Sequence, residues 1–155
     1  MRGNAEITAD FNTLLTGELT AMDVYFVQSR ICHNWGFHKL TERWAHEMED
    51  ETRHAESLIK RILFLEGAPD LRQRISYSIA ASVEEMLKSN LELEIGVAKH
   101  LREVIAKCET LGDHGSRMVL EELLEDTEND HILWLETQLK LISKVGLENY
   151  LQSQV

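Results

Sequence analysis

Residues 49–56 read EDETRHAE and residues 126–134 read DTENDHILW. Each stretch holds a Glu-x-x-His, Glu51/His54 and Glu128/His131, inside a run whose apolar positions recur at steps of three and four. That recurrence marks a helix with one buried face. In the first run the inward positions are Leu40, Trp44, Glu47, Glu51, His54, Leu58 and Ile62, so an acid and an imidazole stand in a seam that ought to be apolar. In the second, Glu128 and His131 fall between Leu124 and Leu135.

Two further stripes frame these. One runs through Phe11, Leu14, Leu15, Leu19, Met22 and Phe26 and stops near Asn34-Trp35-Gly36, where glycine suits a C-terminal cap. Another runs through Val83, Leu87, Leu91, Val97, Leu101 and Ile105 and closes near Leu111-Gly112. The fourth stripe, with Leu120, Leu124, Leu135, Leu139, Ile142 and Val145, ends before Gly146, and LENYLQSQV supplies a short fifth helix. The only proline, Pro69, lies in the stretch 66–82 where helical periodicity lapses.

Loop lengths choose the topology. Helices one and two, and three and four, are joined by turns of only a few residues and so form antiparallel hairpins. A helix of about 28 residues is about 42 Å long, and the linker can stretch to about 56 Å. It can cross the whole bundle. The expectation is therefore an all-α, single-domain chain over 1–155: a four-helix bundle with a long crossover between helices two and three, against a two-hairpin bundle of the other handedness.

Composition narrows the function. At 155 residues, with 43% hydrophobic and 28% charged residues, the chain can bury one sizeable core. A net charge of -11 argues against nucleic acid or an anionic membrane as partner and favours cations. No apolar run is long enough for a membrane span, and MRGNAEITAD lacks the pattern of a signal peptide, so a cytoplasmic location is expected. Cys32 and Cys108 have no metal-type spacing and read as buried thiols.

The polar residues that interrupt the stripes carry the chemistry. Glu18 lies on the apolar side of the first helix and Glu94 within the stripe of the third, so each of four helices contributes one inward carboxylate, and helices two and four add a histidine. A lone inward glutamate is ordinarily a residue at the edge of a stripe. Four of them, with no lysine or arginine among the inward positions, would repel one another at a cost of several kcal/mol per unpaired ion. Something cationic must sit between them. Four glutamates and two histidines form a ligand set for two metal ions in a bundle core, and one imidazole per metal among oxygens suits iron or manganese.

The sequence also resembles bacterioferritin over essentially its whole length, through MRGN, LLTGELTAMDVYF, NWG, HEMEDETRHAE, RILFLEG, VEEML, WLETQL and VGLENYLQSQ. The resemblance implies a ferritin-like fold and a cage of 24 subunits that oxidises Fe(II) with O2 or peroxide and stores the ferric mineral. It implies a ferroxidase with the ligands Glu18, Glu51, His54, Glu94, Glu128 and His131, Glu51 and Glu128 bridging the metals. Bacterioferritins hold haem with a methionine immediately after the bridging glutamate of helix two. Here that position is Thr52, which has no thioether, and Met48 lies one turn away, about 5.4 Å along the axis. A haem-free subunit is therefore expected, in a homopolymer or in a mixed cage beside a haem-binding subunit. A structural storage subunit and, with less support, an oxygen-activating di-iron oxygenase are the competing functions.

The resemblance extends to secondary positions. His46 and Asp50, read as facing away from Glu51 and His54, match an inner-surface iron site; the plain alternative is a solvated helix face. Tyr25 and Trp134 match electron donors beside the metals, although each could simply pack in the core, and Leu58 stands where relatives carry a tyrosine. Asn149 and Gln152 match residues lining a four-fold pore, and Asn34 and Glu66 a channel at a subunit junction.

Overall fold

The computed structural model describes residues 1–155. Asn4 opens α1 (Ala5–Trp35), its side-chain oxygen accepting from Glu6 N at 2.8 Å, which satisfies one of the donors a helix start leaves free. Gly36 ends the helix at φ 85°, a left-handed conformation that glycine adopts without strain. After this turn comes α2 (His38–Phe64). Ser82 then caps α3 (Val83–Thr110), accepting from Glu85 N while Glu85 accepts from Ala81 N. The fourth rod is α4 (His114–Asp126), a π-helical turn (Thr127–Ile132) and α5 (Leu133–Val145) in unbroken succession, and α6 (Leu147–Ser153) follows Gly146.

Contacts between the rod ends settle the directions. Gly3 N donates to Leu65 O at 3.1 Å, Lys107 pairs with Asp10 at 2.5 Å, and Arg61 pairs with Asp113 at 2.9 Å. The start of α1, the ends of α2 and α3 and the start of α4 thus share one end of the bundle. At the other, Gln28 and Asn90 exchange two hydrogen bonds (2.9 and 2.6 Å), and Lys39 donates to Ser153 O at 2.8 Å. Consequently α2 and α3 run parallel and the segment between them crosses the length of the bundle. It does so strapped to α1: Asn12 donates to Ala68 O and accepts from Asp70 N, Thr20 accepts from Ile75 N, and Asp23 pairs with Arg74. The structure is the all-α four-helix bundle with a short terminal helix.

Its core is divided in two. One apolar cluster holds Phe11, Leu15, Leu58, Ile62, Leu101 and Leu120; the other holds Tyr25, Leu40, Trp44, Met86, Leu87, Leu135 and Tyr150. Between them Glu18, Glu47, Asp50, Glu51, His54, Glu94, Thr127 and His131 are all buried. No helix is long and apolar enough to cross a membrane.

Leu58 is fully buried one turn beyond His54 and closes the polar layer from the first cluster. Truncating it to alanine removes packed methyl groups and leaves a cavity, so Leu58→Ala is expected to destabilise the fold by about 2–5 kcal/mol. Chemical denaturation monitored by helical circular dichroism measures this.

Candidate metal centre

Glu51 is the pivot of the polar layer. One oxygen, Oε2, lies 3.2 Å from His54 Nδ1, and the other, Oε1, lies 3.0 Å from His131 Nδ1. Glu18 completes a triad with Glu51 and His54, and Glu94 completes a second with Glu51 and His131. In each triad the potential ligand atoms lie within 4.8 Å of one another, and the two imidazoles stack with centroids 5.6 Å apart. The three-residue step from Glu51 to His54 does what the helix predicts, since side chains three apart share a face. Glu18 from α1 and Glu94 from α3 reach the same layer.

The inner residues have no lysine or arginine partner, whereas their neighbours do. Arg43, largely buried, pairs with Glu47 and with Asp130 and lies over the Trp134 ring at 4.5 Å. Arg53 pairs with Asp50. Inside the layer, Glu18 Oε1, Glu51 Oε1 and both ring nitrogens of His131 are buried without any hydrogen bond. Native interiors rarely leave such groups unsatisfied. A carboxylate- and imidazole-lined space with orphaned ligand atoms fits divalent or trivalent iron, whose bonds would satisfy those atoms.

Charge inside the layer is held by protons in the metal-free chain. Burial, with the neighbouring Glu51 charge, pushes Glu18 up to about 8. Burial opposes the charged form of both histidines, yet the facing carboxylates of Glu18 and Glu51 hold His54 up to about 11, and those of Glu51 and Glu94 hold His131 up to about 12. Glu51 is lowered against its burial and the Glu94 charge by the neighbouring Glu18 and the two histidines.

Glu128 departs from expectation. It is half-exposed, pairs with Arg102 and belongs to neither triad. The cause is the π turn, which carries both Glu128 and His131: with bonding from i to i+5, residues three apart no longer share a face as they do in an α-helix. His131 is turned fully inward and Glu128 outward. Asp126, just before the π turn, instead approaches the layer, its Oδ2 2.6 Å from His54 Nε2.

His46 and Asp50 also differ from the sequence reading. Asp50 does not face solvent: it is buried, 3.1 Å from His46 Nε2 and 3.6 Å from His131 Nε2. With Asp130, His46 and Asp50 form a group that could hold a cation, graded from the buried layer to the exposed His46. Tyr25 donates to Glu94 and stacks on Trp44 at 5.6 Å, and Trp44 meets Trp134 edge-on at 5.5 Å. The line of three rings was not read from the sequence, which placed Trp44 only as an inward residue. Thr52 is exposed and donates to Met48 O at 2.8 Å. Asn149 and Gln152 are exposed on α6, and Asn34 and Glu66 are exposed near the ends of α1 and α2. Asp126, Arg43 and Arg102 went unread because their partners lie on other helices.

Fold and polar layer together define a helical-bundle protein that carries a metal-ligand set in its core. A family model described as Ferritin-like domain matches residues 8–145. The chain is 52% identical over 155 residues to a bacterial ferritin of Pseudomonas aeruginosa, covering all of both chains, and 50% identical to a bacterial ferritin of Synechocystis, covering all of this chain and 99% of the relative. It is 38% identical over 150 residues to a bacterioferritin of Mycolicibacterium paratuberculosis, with 97% of this chain and 94% of that one covered. The chain belongs to the ferritin family, in the group of the bacterial ferritins and bacterioferritins, and its role is iron storage.

The protons on His54 and His131 must leave before Nδ1 can bind a metal, so metal binding should release protons and strengthen as pH rises. Calorimetric titration of the metal-free protein with Co(II) in buffers of different ionisation enthalpy reads this directly. The expected result is net proton release at pH 7 and affinity that falls steadily towards pH 5.

Proposed function

We propose that this chain is a ferroxidase subunit, folded as one domain, that oxidises Fe(II) at a pair of sites in the bundle core and delivers Fe(III) to a mineral inside a cage of 24 copies. The observation that carries the reading is Glu51 set between His54 and His131, where Glu18 Oε1, Glu51 Oε1 and both His131 ring nitrogens lack hydrogen bonds and Glu18, Glu51 and Glu94 have no lysine or arginine partner. Two irons fit as substrate, one on the Glu18/His54 side and one on the Glu94/His131 side, with Glu51 bridging. Glu128 completes the set by exchanging Arg102 for iron, a side-chain rotation that its half-exposed position permits.

Each Fe(II) gives up one electron. Dioxygen takes both, with two protons, and leaves as hydrogen peroxide; where peroxide is the oxidant, the same two electrons and two protons yield two waters. Carboxylate oxygens favour the harder ferric ion, which drives the oxidation at this site. Where only one Fe(II) is bound, Tyr25, held against Glu94, can supply the second electron to dioxygen or peroxide, its phenolic proton passing to that carboxylate and a neutral tyrosyl radical remaining, and Trp44 and Trp134 lie in line beyond it. His46, Asp50 and Asp130 offer the next cation position towards the mineral, and Asn149 and Gln152 lie exposed on the terminal helix, as pore-lining residues would.

Thr52 supports a haem-free subunit, because its hydroxyl is engaged by the Met48 carbonyl and offers no thioether. The same residue favours a second reading, in which this chain assembles in a mixed cage beside a haem-binding subunit.

Two measurements test the proposal. In stopped-flow oxidation of Fe(II), Glu18→Ala and Glu128→Ala are each expected to reduce the fast phase to the uncatalysed rate, with the assembly unchanged by sedimentation velocity. Unchanged initial rates in both variants would remove the ferroxidase assignment. Purified protein is expected to sediment as a 24-subunit particle without a Soret band; a methionine-ligated haem spectrum would overturn the haem-free reading.

A further inference from the structure

Beyond the six proposed ligands, the structure assigns a positioning role to Asp126: its carboxylate holds the His54 ring so that Nδ1 faces the metal. This rests on the reading of Glu51 and His54 as iron ligands and goes one layer outward from it. The two nitrogens of the His54 ring face different partners. Nδ1 lies 3.2 Å from Glu51 Oε2 and 3.9 Å from Glu18 Oε2, on the metal side, while Nε2 lies 2.6 Å from Asp126 Oδ2 on the opposite side. A neutral imidazole carries its proton on one nitrogen only. A carboxylate at Nε2 keeps the proton there, leaving the Nδ1 lone pair free for the metal, fixing the ring plane and raising the ligand's basicity.

Several features single out Asp126 for this task. His54 is its only ion-pair partner, whereas the carboxylates beside it on the same stretch are committed elsewhere, Glu128 to Arg102 and Asp130 to Arg43 and His46. The bond is short and joins a buried ring to a partly exposed carboxylate, as a charge-assisted hydrogen bond does. Asp126 is the last residue of α4, so the π turn that swings His131 inward begins directly after it. The same local geometry therefore brings one proposed ligand, His131, and the orienting carboxylate to the layer together. His131 has no equivalent bond: its Nε2 lies 3.1 Å from Glu47 Oε2, but neither atom is aligned for hydrogen bonding, and Glu47 is paired with Arg43. The two halves of the centre are thus inequivalent: the His54 ring has a hydrogen-bonded carboxylate at its outer nitrogen and the His131 ring does not.

The test compares the intact assembly with Asp126→Asn, which keeps the shape and removes the charge, and Asp126→Ala, which removes the hydrogen-bonding group. Both are compatible with folding because the side chain is 39% exposed. Co(II) titration followed by its d–d absorption is expected to show two ions per chain in the parent. In both variants one ion should bind about 10- to 100-fold more weakly, the other unchanged, with the band positions at saturation preserved because no ligand has been lost. In the Zn(II)-loaded parent, the His54 Nε2 proton should appear as a slowly exchanging, downfield nitrogen-bound resonance and disappear in Asp126→Ala.

Two Co(II) ions bound by the variants within about twofold of parental affinity would overturn the positioning role while leaving the paired site standing. Saturated variants with a changed d–d spectrum would make Asp126 a ligand and overturn it as well. A parent that fails to bind two ions would remove the paired site itself and this inference with it.

Discussion

A layer of carboxylates and imidazoles lies between two apolar clusters, sealed from water on both sides, and the rest of the bundle is arranged around it. Buried charge is tolerated only when it is paired or ligated. The structure distributes the pairing unevenly. Around the rim of the layer Arg43, Arg53 and Arg102 neutralise Glu47, Asp50 and Glu128. At its centre Glu18, Glu51 and Glu94 have two histidines, the Tyr25 hydroxyl and a retained proton on Glu18 but no lysine or arginine, and several ligand atoms are left without hydrogen bonds. The absence of a permanent cation at that one place leaves a cluster of carboxylates and imidazoles that could hold a metal ion.

The apolar clusters do more than fold the chain. Leu58 and its neighbours close one side and Tyr25 and Trp44 the other, which lowers the local dielectric and strengthens every interaction between ligand and ion. The crossover segment ties this arrangement to topology: strapped along α1, it lets α2 and α3 run parallel and brings Glu51 and Glu94 from those two helices to the same level. The π turn is a local departure from regular helix at the metal layer, as such turns often are at functional sites. It carries Glu128, Asp130 and His131, and Asp126 immediately precedes it.

Much of the fold was legible because its signals are local. Stripe periodicity, the Gly36 stop and the proline-bearing lapse each reflect interactions within a few residues. The orientation of Glu51 and His54 was legible for the same reason, since a regular α-helix fixes which residues share a face. The outward orientation of Glu128 was not legible because that regularity fails at Thr127, and nothing in DTENDHILW distinguishes a π turn from an α-helix. Asp50 was misread because the turn of helix it occupies is covered by the fourth rod, a fact of packing and not of periodicity.

By itself, then, the sequence determined four amphipathic rods, their hairpin connections and the presence of an acidic, histidine-bearing stripe, all consequences of residue spacing along one chain direction. Only the tertiary structure decided which acids are compensated, since Arg43, Arg102 and Asp126 find their partners across helices and not along them. It also decided that the two histidines present Nδ1 to a shared carboxylate while their outer nitrogens meet different environments. Ring orientation depends on the neighbours that surround it, and those are assembled from distant parts of the chain.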